Sequence, residues 1–231
     1  MTPTAVTTHI DDAGRTTTRI EYHGTIGRPP VFGSLAYLLL SFPLGVAWFV
    51  TLVTLLAVGA STAIVWVGLP VLATAIVLWR AGAQLERVRA QALLNTVIAD
   101  GRRALPEGPA SKRWAARVRD PQSWRDLLYL FLLFPLGIAE FVLMVVLWGL
   151  SLGLVTLPIH YRWMPDGVWI LPGWTDGPLF VVDSFVDALP VAALGVLLLG
   201  VTVRFTQWLA GTHARYARRL LGPRERDAVA G

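Results

Sequence analysis

Residues Pro29–Leu55 read PPVFGSLAYLLLSFPLGVAWFVTLVTL, and residues Pro121–Leu147 read PQSWRDLLYLFLLFPLGIAEFVLMVVL. The two stretches align without a gap at an offset of 92 residues and are identical at 14 of 27 positions. Both carry the motif Phe-Pro-Leu-Gly, at 42–45 and 134–137. A helix of about 20 mainly apolar residues is long enough to cross a bilayer. The stretch therefore predicts a membrane unit that is built twice in one chain.

The composition supports a membrane protein. Of the 231 residues 55% are hydrophobic and only 15% are charged, with a mean hydropathy of +0.57, whereas soluble domains carry about 25% charged residues. Residues 31–79 contain no charged side chain, and further apolar blocks run over 127–158 and 188–203. The N-terminal segment lacks the apolar region of a cleavable signal peptide. The chain has no cysteine, which excludes disulfides and thiolate metal sites.

The basic residues are unevenly distributed along the chain. Nineteen of the 20 Lys and Arg residues fall before residue 31, between 80 and 126, or after residue 203, and only Arg162 lies elsewhere. Cytoplasmic loops of membrane proteins carry an excess of Lys and Arg. We therefore predict a multi-pass protein of the plasma membrane with both termini in the cytoplasm. The net charge of +5 is explained by this flanking arrangement, and no nucleic-acid binding is predicted.

The predicted fold class is an all-α integral membrane protein with four transmembrane helices. The helices form two hairpins that are parallel repeats, and each hairpin is followed by a basic cytoplasmic amphipathic helix. The predicted segments are a flexible tail (1–28), repeat 1 (29–100, with spans 35–57 and 62–79 and a cytoplasmic helix 80–99), a linker (101–120), repeat 2 (121–222, with spans 127–150 and 185–203, an outer loop 151–184 and a cytoplasmic helix 204–221), and a tail (223–231).

The start of the third span has a clear signature. Asp120 is a residue type that caps helices, and Pro121 follows at the first helical position, where its missing N–H has no effect. Inside both first spans, Phe-Pro-Leu-Gly combines a helix-bending proline with a glycine that allows close helix contact. We consider two interpretations of the motif: a pair of flexible points that transmit motion, or a static kink needed for packing. The candidate residues are Pro43, Gly45, Pro135 and Gly137.

Glu140 is the one charged residue inside the third span, 13 residues from its start. Ionisable residues inside membrane spans are rare and usually functional. The repeat-one counterpart is Trp48, so the two copies differ at this position. We consider two interpretations: a proton- or ligand-responsive site facing the bundle interior, or a protonated Glu bonded to the backbone near Pro135. No Lys or Arg inside a predicted span is available to pair with it.

The outer loop is rich in turn residues and aromatic side chains. Its alternation near Val168–Ile170 predicts a short hairpin. It is either a ligand-binding surface or an interfacial loop held by tryptophans, and a lone histidine makes a metal site there improbable. The candidate residues are Glu140 from the span and, from the loop, His160, Arg162, Trp163, Asp166, Trp169 and Trp174.

The predicted cytoplasmic helix 80–99 has two stripes at helical spacing. Ala81, Leu85, Val88 and Ala92 form one, and Arg80, Gln84, Arg87 and Gln91 form the other. This pattern is typical of an amphipathic helix, which would either relay motion to a partner or lie on anionic headgroups. The candidate relay residues are Leu85, Glu86, Arg87, Arg218 and Arg219.

Several sequence motifs resemble one known family, the sensor domains of bacterial, chiefly actinobacterial, membrane proteins. The resemblance is carried by YLLLSFPLG at 37–45, LER at 85–87, DPxxWRDLLY at 120–129, FPLG at 134–137 and RRLLGP at 218–223. In that family the closing helix often leads into a histidine-kinase core. The resemblance therefore implies a free-standing sensory input module that signals to a kinase or regulator in trans.

The sequence contains no nucleotide-binding, metalloprotease or nucleophile-elbow motif, so we predict no enzymatic activity, no catalytic residue, no metal and no cofactor. The first functional hypothesis is a sensory module without its own output domain, acting as a homodimer or through a partner. The alternatives are a small transporter or channel component that uses Glu140 and the Pro/Gly-broken helices, and a membrane scaffold that does not signal.

Overall fold

The computed structural model describes residues 5–10, 16–21, 29–101, 107–164, 167–172 and 177–223. The predicted site residues Asp166 and Trp174 lie outside these ranges. The elements in chain order are β1 (Ala5–Ile10), β2 (Thr16–Glu21), α1 (Val31–Thr62), α2 (Gly68–Leu94), α3 (Ala110–Arg119), α4 (Pro121–His160), β3 (Trp169–Pro172), β4 (Pro178–Val182) and α5 (Phe185–Leu221).

Four of these helices are long and apolar enough to cross a membrane, which confirms the predicted class of helical membrane protein. The candidate spans are Val31–Val65, Gly68–Leu94, Pro121–Trp163 and Phe185–Leu221. The second and fourth are longer than predicted, because the cytoplasmic helices expected after spans 2 and 4 continue those spans without a break. The charged residues there do not end a helix, since Arg, Glu and Ala all have high helix propensity.

The structure also differs from the predicted boundaries at three connections. The first hairpin turns at a short 3₁₀ segment, Ala63–Val65, rather than at 59–61. The predicted linker contains α3, and the predicted N-terminal tail contains the antiparallel pair β1–β2. In the outer loop, β3 and β4 pair antiparallel, so the predicted short hairpin is confirmed.

The ends of α4 and α5 follow ordinary capping chemistry. The Asp120 carboxylate accepts a hydrogen bond from the Gln122 backbone N–H at 3.2 Å, and Pro121 occupies the first helical position, as predicted. The Ser184 hydroxyl caps α5 by accepting from the Asp187 N–H at 3.2 Å. Both caps satisfy backbone donors that have no partner inside the helix.

The first helices of the two repeats pack against each other in opposite directions. The ring of Phe42 lies 4.9 Å from that of Phe141, and the ring of Phe49 stacks at 4.6 Å on Phe134. At these contacts α1 and α4 therefore run antiparallel. The two Phe-Pro-Leu-Gly motifs meet at this crossing, and both helices continue through their prolines.

This packing corrects the prediction that the hairpins are parallel and that both turns emerge on one side. The turn at Ala63–Val65 and the β3–β4 hairpin lie at opposite ends of the bundle. The basic ends of the hairpins are neighbours, since Arg80 of α2 lies 3.6 Å from the Asp120 carboxylate. Gly45 and Gly137 lie where α1 and α4 cross, each close to the backbone of the other helix.

The main core lies where the two hairpins overlap. Its buried apolar side chains come from α1, α2, α4 and α5, together with Ile98. A smaller apolar cluster joins the ends of α4 and α5 to the β3–β4 hairpin. Polar side chains are buried inside the main core, and they form the candidate site.

Candidate functional site

A chain of hydrogen bonds begins at Glu140 and crosses the bundle. The Glu140 carboxylate Oε1 lies 2.5 Å from Nδ1 of His213 on α5. The other ring nitrogen, Nε2, lies 3.0 Å from the Tyr129 hydroxyl. That hydroxyl donates to Oε2 of Glu86 on α2 at 3.2 Å. Four polar side chains from three helices are therefore linked without a break.

Arg89 extends the chain to the fourth helix. Its Nη2 lies 2.7 Å from Glu86 Oε2 and donates to the Ser41 hydroxyl of α1 at 3.2 Å. The guanidinium carbon stands 4.2 Å from the centre of the Tyr37 ring, a distance at which a cation is attracted to an aromatic face. The ring of Tyr37 also contacts His213 edge-on, with centroids 5.1 Å apart. We call the residues Tyr37, Ser41, Glu86, Arg89, Tyr129, Glu140 and His213 the polar network.

All members of the polar network are buried, with Glu140 5% and His213 4% exposed. Four of them retain buried polar atoms without a hydrogen-bond partner among the described residues: the Tyr37 hydroxyl, Glu86 Oε1, Glu140 Oε2, and Nε and Nη1 of Arg89. An unpaired buried charge is costly, so the network has one strongly constrained arrangement. The unpaired atoms of the network could form hydrogen bonds in a different arrangement of the helices.

The predicted apolar stripe of α2 faces outward, with Leu85 46% and Val88 53% exposed. Gln84 and Gln91 of the predicted polar stripe are also exposed, whereas Glu86, Arg87 and Arg89 are buried. The reason is chemical: carboxylates and hydroxyls on α1 and α4 provide partners for the charges, and a lipid-facing surface accepts Leu and Val without penalty. Of the predicted relay residues on α2, Glu86 and Arg87 therefore lie inside the bundle and Leu85 lies outside.

A second polar group holds the end of α5. Arg87 Nη2 donates to the Leu221 carbonyl at 2.9 Å and lies 3.0 Å from the Asp126 carboxylate. Gln122 Nε2 donates to the Leu220 carbonyl at 2.9 Å. Arg125 donates to the carbonyls of Arg219 and Gly222. Cations at a helix C-terminus stabilise its unpaired carbonyls. We call Arg87, Gln122 and Arg125 the C-terminal clasp.

We expect Arg125→Ala to loosen the last turn of α5. It removes two hydrogen bonds to carbonyls, each contributing about 1 kcal/mol, so amide exchange in the last turn should accelerate about thirtyfold. Hydrogen exchange followed by mass spectrometry measures this. Arg215→Ala is the matched control, because the described hydrogen bond of Arg215 goes to Thr212 on its own helix. Equal exchange in the two variants contradicts the clasp.

The predicted outer-loop residues are not brought together into one site. The His160 ring is bonded to the Thr156 carbonyl of its own helix at 2.7 Å. Arg162 donates to the hydroxyl of neighbouring Tyr161, and Trp163 is 81% exposed. Trp169 packs on the small apolar cluster beside Tyr161. Arg218 and Arg219 are exposed on α5, and the backbone carbonyl of Arg219 is the part that the clasp binds.

The sequence reasoning singled out Glu140 and missed its partner. His213 was assigned to a separate cytoplasmic helix, but the unbroken α5 places it beside Glu140 in the core. A signal was available in the repeat, because Tyr37 and Tyr129 occupy matched positions of the two copies and both line the network. Arg89 had no comparable signal, since its burial depends on how α2 is rotated in the bundle.

The fold and the site together define a multi-pass membrane protein with a charged network buried between two helical hairpins. Comparison with known protein families gives a match to the family described as "Putative sensor" over residues 37–221. This match covers most of the chain, and the protein belongs to that family. No curated protein and no solved structure matches the chain.

Proposed function

We propose that this protein is a sensory input module of a bacterial plasma membrane that signals through a partner protein and catalyses no reaction itself. Membership of the sensor family supports the sensory role. The observation that carries the proposal is the polar network, because it ties all four long helices together through buried groups whose bonding is incomplete. A stimulus that changes the packing of one helix must rearrange the network, and the other three helices respond.

The proposed movement is a change in the angle between the hairpins. The charge pattern favours an arrangement in which the basic ends of both hairpins face the cytoplasm, whereas the hairpins in the structure point in opposite directions. The crossing at Gly45 and Gly137 is the proposed pivot, with Pro43 and Pro135 as the neighbouring flexible points. The end of α5, held by the C-terminal clasp, is the proposed output, and its position would be read by a second copy, a kinase or a regulator.

Glu140→Gln should shift the balance between two hairpin arrangements. The Gln amide is a weaker hydrogen-bond partner for His213 than the carboxyl group, so we expect the change to remove about 1 kcal/mol, which is about fivefold in a population ratio. Because the chain has no cysteine, spin labels at Ile64→Cys and Trp163→Cys report the distance between the two turns. We expect two distance populations, with the shorter one enriched in the Glu140→Gln protein.

Asp183→Asn is the control, because this carboxylate is exposed beyond β4 and lies outside the network. It should leave the distance distribution unchanged. A single distance that Glu140→Gln does not alter contradicts the proposed movement. For the output, the full chain is purified from its own host by mild detergent extraction. Recovery of no kinase or regulator counts against signalling in trans and favours a scaffold.

Proton translocation is a second candidate function, favoured by one specific observation. Glu140, His213, Tyr129 and Glu86 form an unbroken series of groups that can each hold or pass a proton. Tyr129→Phe breaks this series with little change in volume. Proton flux into liposomes that Tyr129→Phe abolishes would support transport. Absence of flux with the unmodified protein excludes it.

A further inference from the structure

We propose that α3 binds the surface of a membrane containing anionic phospholipids. Nothing in the polar network or the clasp involves this helix, so the inference is independent of the proposed function. The helix, Ala110–Arg119, has the sequence ASKRWAARVR and contains no carboxylate. Four of its ten residues are basic: Lys112, Arg113, Arg117 and Arg119.

The apolar residues of α3 follow one stripe, and its basic residues lie opposite that stripe and along its edges. At 100° per residue, Trp114 and Val118 lie about 40° apart, Lys112 and Arg119 fall on the far side, and Arg113 and Arg117 lie between the two faces. Val118 is 43% exposed, so its apolar side chain is not covered by the bundle. A short helix with a basic face and an apolar face containing Trp is typical of helices that lie in the headgroup region.

The basic residues of α3 are free to bind an external anion. None of the four pairs with a carboxylate among the residues that the structure describes. Lys112, Arg113 and Arg119 are exposed, and Arg117 stands 4.9 Å from the centre of the Trp114 ring. The adjacent Asp120 is engaged by the α4 cap and by Arg80. Unpaired cations next to an apolar stripe complement a phosphate headgroup above acyl chains.

Two tryptophans lie beside the end of α3. The indole N–H of Trp124 donates to the Val118 carbonyl at 2.9 Å and so fixes the end of α3 to the start of α4. Trp124 lies 5.8 Å from Trp79, and at Trp79 the uncharged part of α2 ends, because Arg80 follows. Tryptophans concentrate at membrane interfaces. Tryptophans next to a basic helix favour lipid over an acidic protein as the binding partner.

The test uses the full chain in lipid nanodiscs, with Val118→Cys as the only thiol. We compare its reaction with a water-soluble maleimide in pure phosphatidylcholine discs and in discs that also contain about 30% phosphatidylglycerol. The reaction should be about tenfold slower in the anionic discs, because each cation strengthens binding to an anionic surface by about fivefold. Ala116→Cys, between basic residues on the other face, should react at similar rates in both. Each comparison is made within one variant, so a change in folding cannot produce the difference.

Charge neutralisation gives a second, independent readout. Val118→Cys combined with Lys112→Gln, Arg113→Gln and Arg119→Gln should lose the protection in anionic discs, and about 1 M salt should do the same by screening. Arg204→Gln with Arg215→Gln, which neutralises exposed cations of α5, should not. Equal rates in both lipids, or protection that survives neutralisation, overturns the proposal. Protection of Ala116→Cys as well as Val118→Cys would show that the helix is not seated by its apolar face and would also overturn it.

Discussion

Replacing Arg89 with Met should lower the free energy of unfolding by about 3–5 kcal/mol, because it leaves a buried carboxylate without its cation. Glu86 is 1% exposed, and Arg89 is its nearest positive charge at 2.7 Å. The substitution also removes the hydrogen bond to Ser41 and the contact with the Tyr37 ring. Loss of Arg89 therefore affects three partners at once, one of them a buried carboxylate.

The measurement is unfolding of the detergent-solubilised protein by SDS, followed through tryptophan fluorescence. Arg215→Met is the matched control, since this arginine is exposed on α5 and its loss should change stability by less than about 0.5 kcal/mol. The double variant Glu86→Gln/Arg89→Met removes both charges. It should recover most of the lost stability, because replacing a buried ion pair by neutral groups is often close to neutral.

These outcomes separate a charge effect from a packing effect. If Met fails only because it fills the site poorly, the additional Glu86→Gln substitution cannot restore stability. If the unpaired carboxylate is the cause, the double variant must be more stable than Arg89→Met alone. A loss below about 1 kcal/mol for Arg89→Met would contradict the buried arrangement of the network.

The helical fold could be predicted from the sequence, because membrane spans are recognisable as long apolar stretches without charged residues. The uncharged residues 31–79 and the cap at Asp120–Pro121 predicted helices that the structure contains. The direction of one hairpin relative to the other was not accessible. It depends on backbone contacts between Gly45 and Gly137 and their neighbours, and a sequence pattern shows that such contacts are allowed without showing how the helices cross.

The candidate site was only partly accessible for a related reason. Glu140 was conspicuous as a charge among apolar residues, whereas His213 and Arg89 lie in segments where charged residues are common. Periodicity grouped Leu85 and Val88 into one stripe of α2 without showing which stripe faces the core. In a membrane protein the surrounding solvent is apolar, so an apolar stripe carries no information about which face is buried.

The second large effect is expected at the helix crossing. A Cβ atom on Gly137 would lie 2.5 Å from the Ser41 carbonyl oxygen and 2.7 Å from its carbon. Both are backbone atoms, which cannot move aside as a side chain can. Gly137→Ala should therefore push α1 away from α4 and lower the free energy of unfolding by about 1–3 kcal/mol.

Gly149, on the same helix, provides a control of opposite sign. A Cβ there would meet no atom within 4 Å, so Gly149→Ala should stabilise the helix by about 0.5–1 kcal/mol through its higher helix propensity. The two variants make the same chemical change on one helix. Equal effects of either sign would contradict the close crossing of α1 and α4.

The crossing and the polar network share Ser41, and this connection gives the sharper test. The carbonyl of Ser41 faces Gly137, while its hydroxyl accepts a hydrogen bond from Arg89. Residues with a shared partner show interaction energies of about 0.5–3 kcal/mol, whereas distant sites add. Gly137→Ala combined with Arg89→Met should therefore cost less than the sum of the single changes, because displacing α1 already weakens the Arg89–Ser41 bond. Gly149→Ala combined with Arg89→Met should be additive, and if both pairs are additive, the crossing and the network are not coupled.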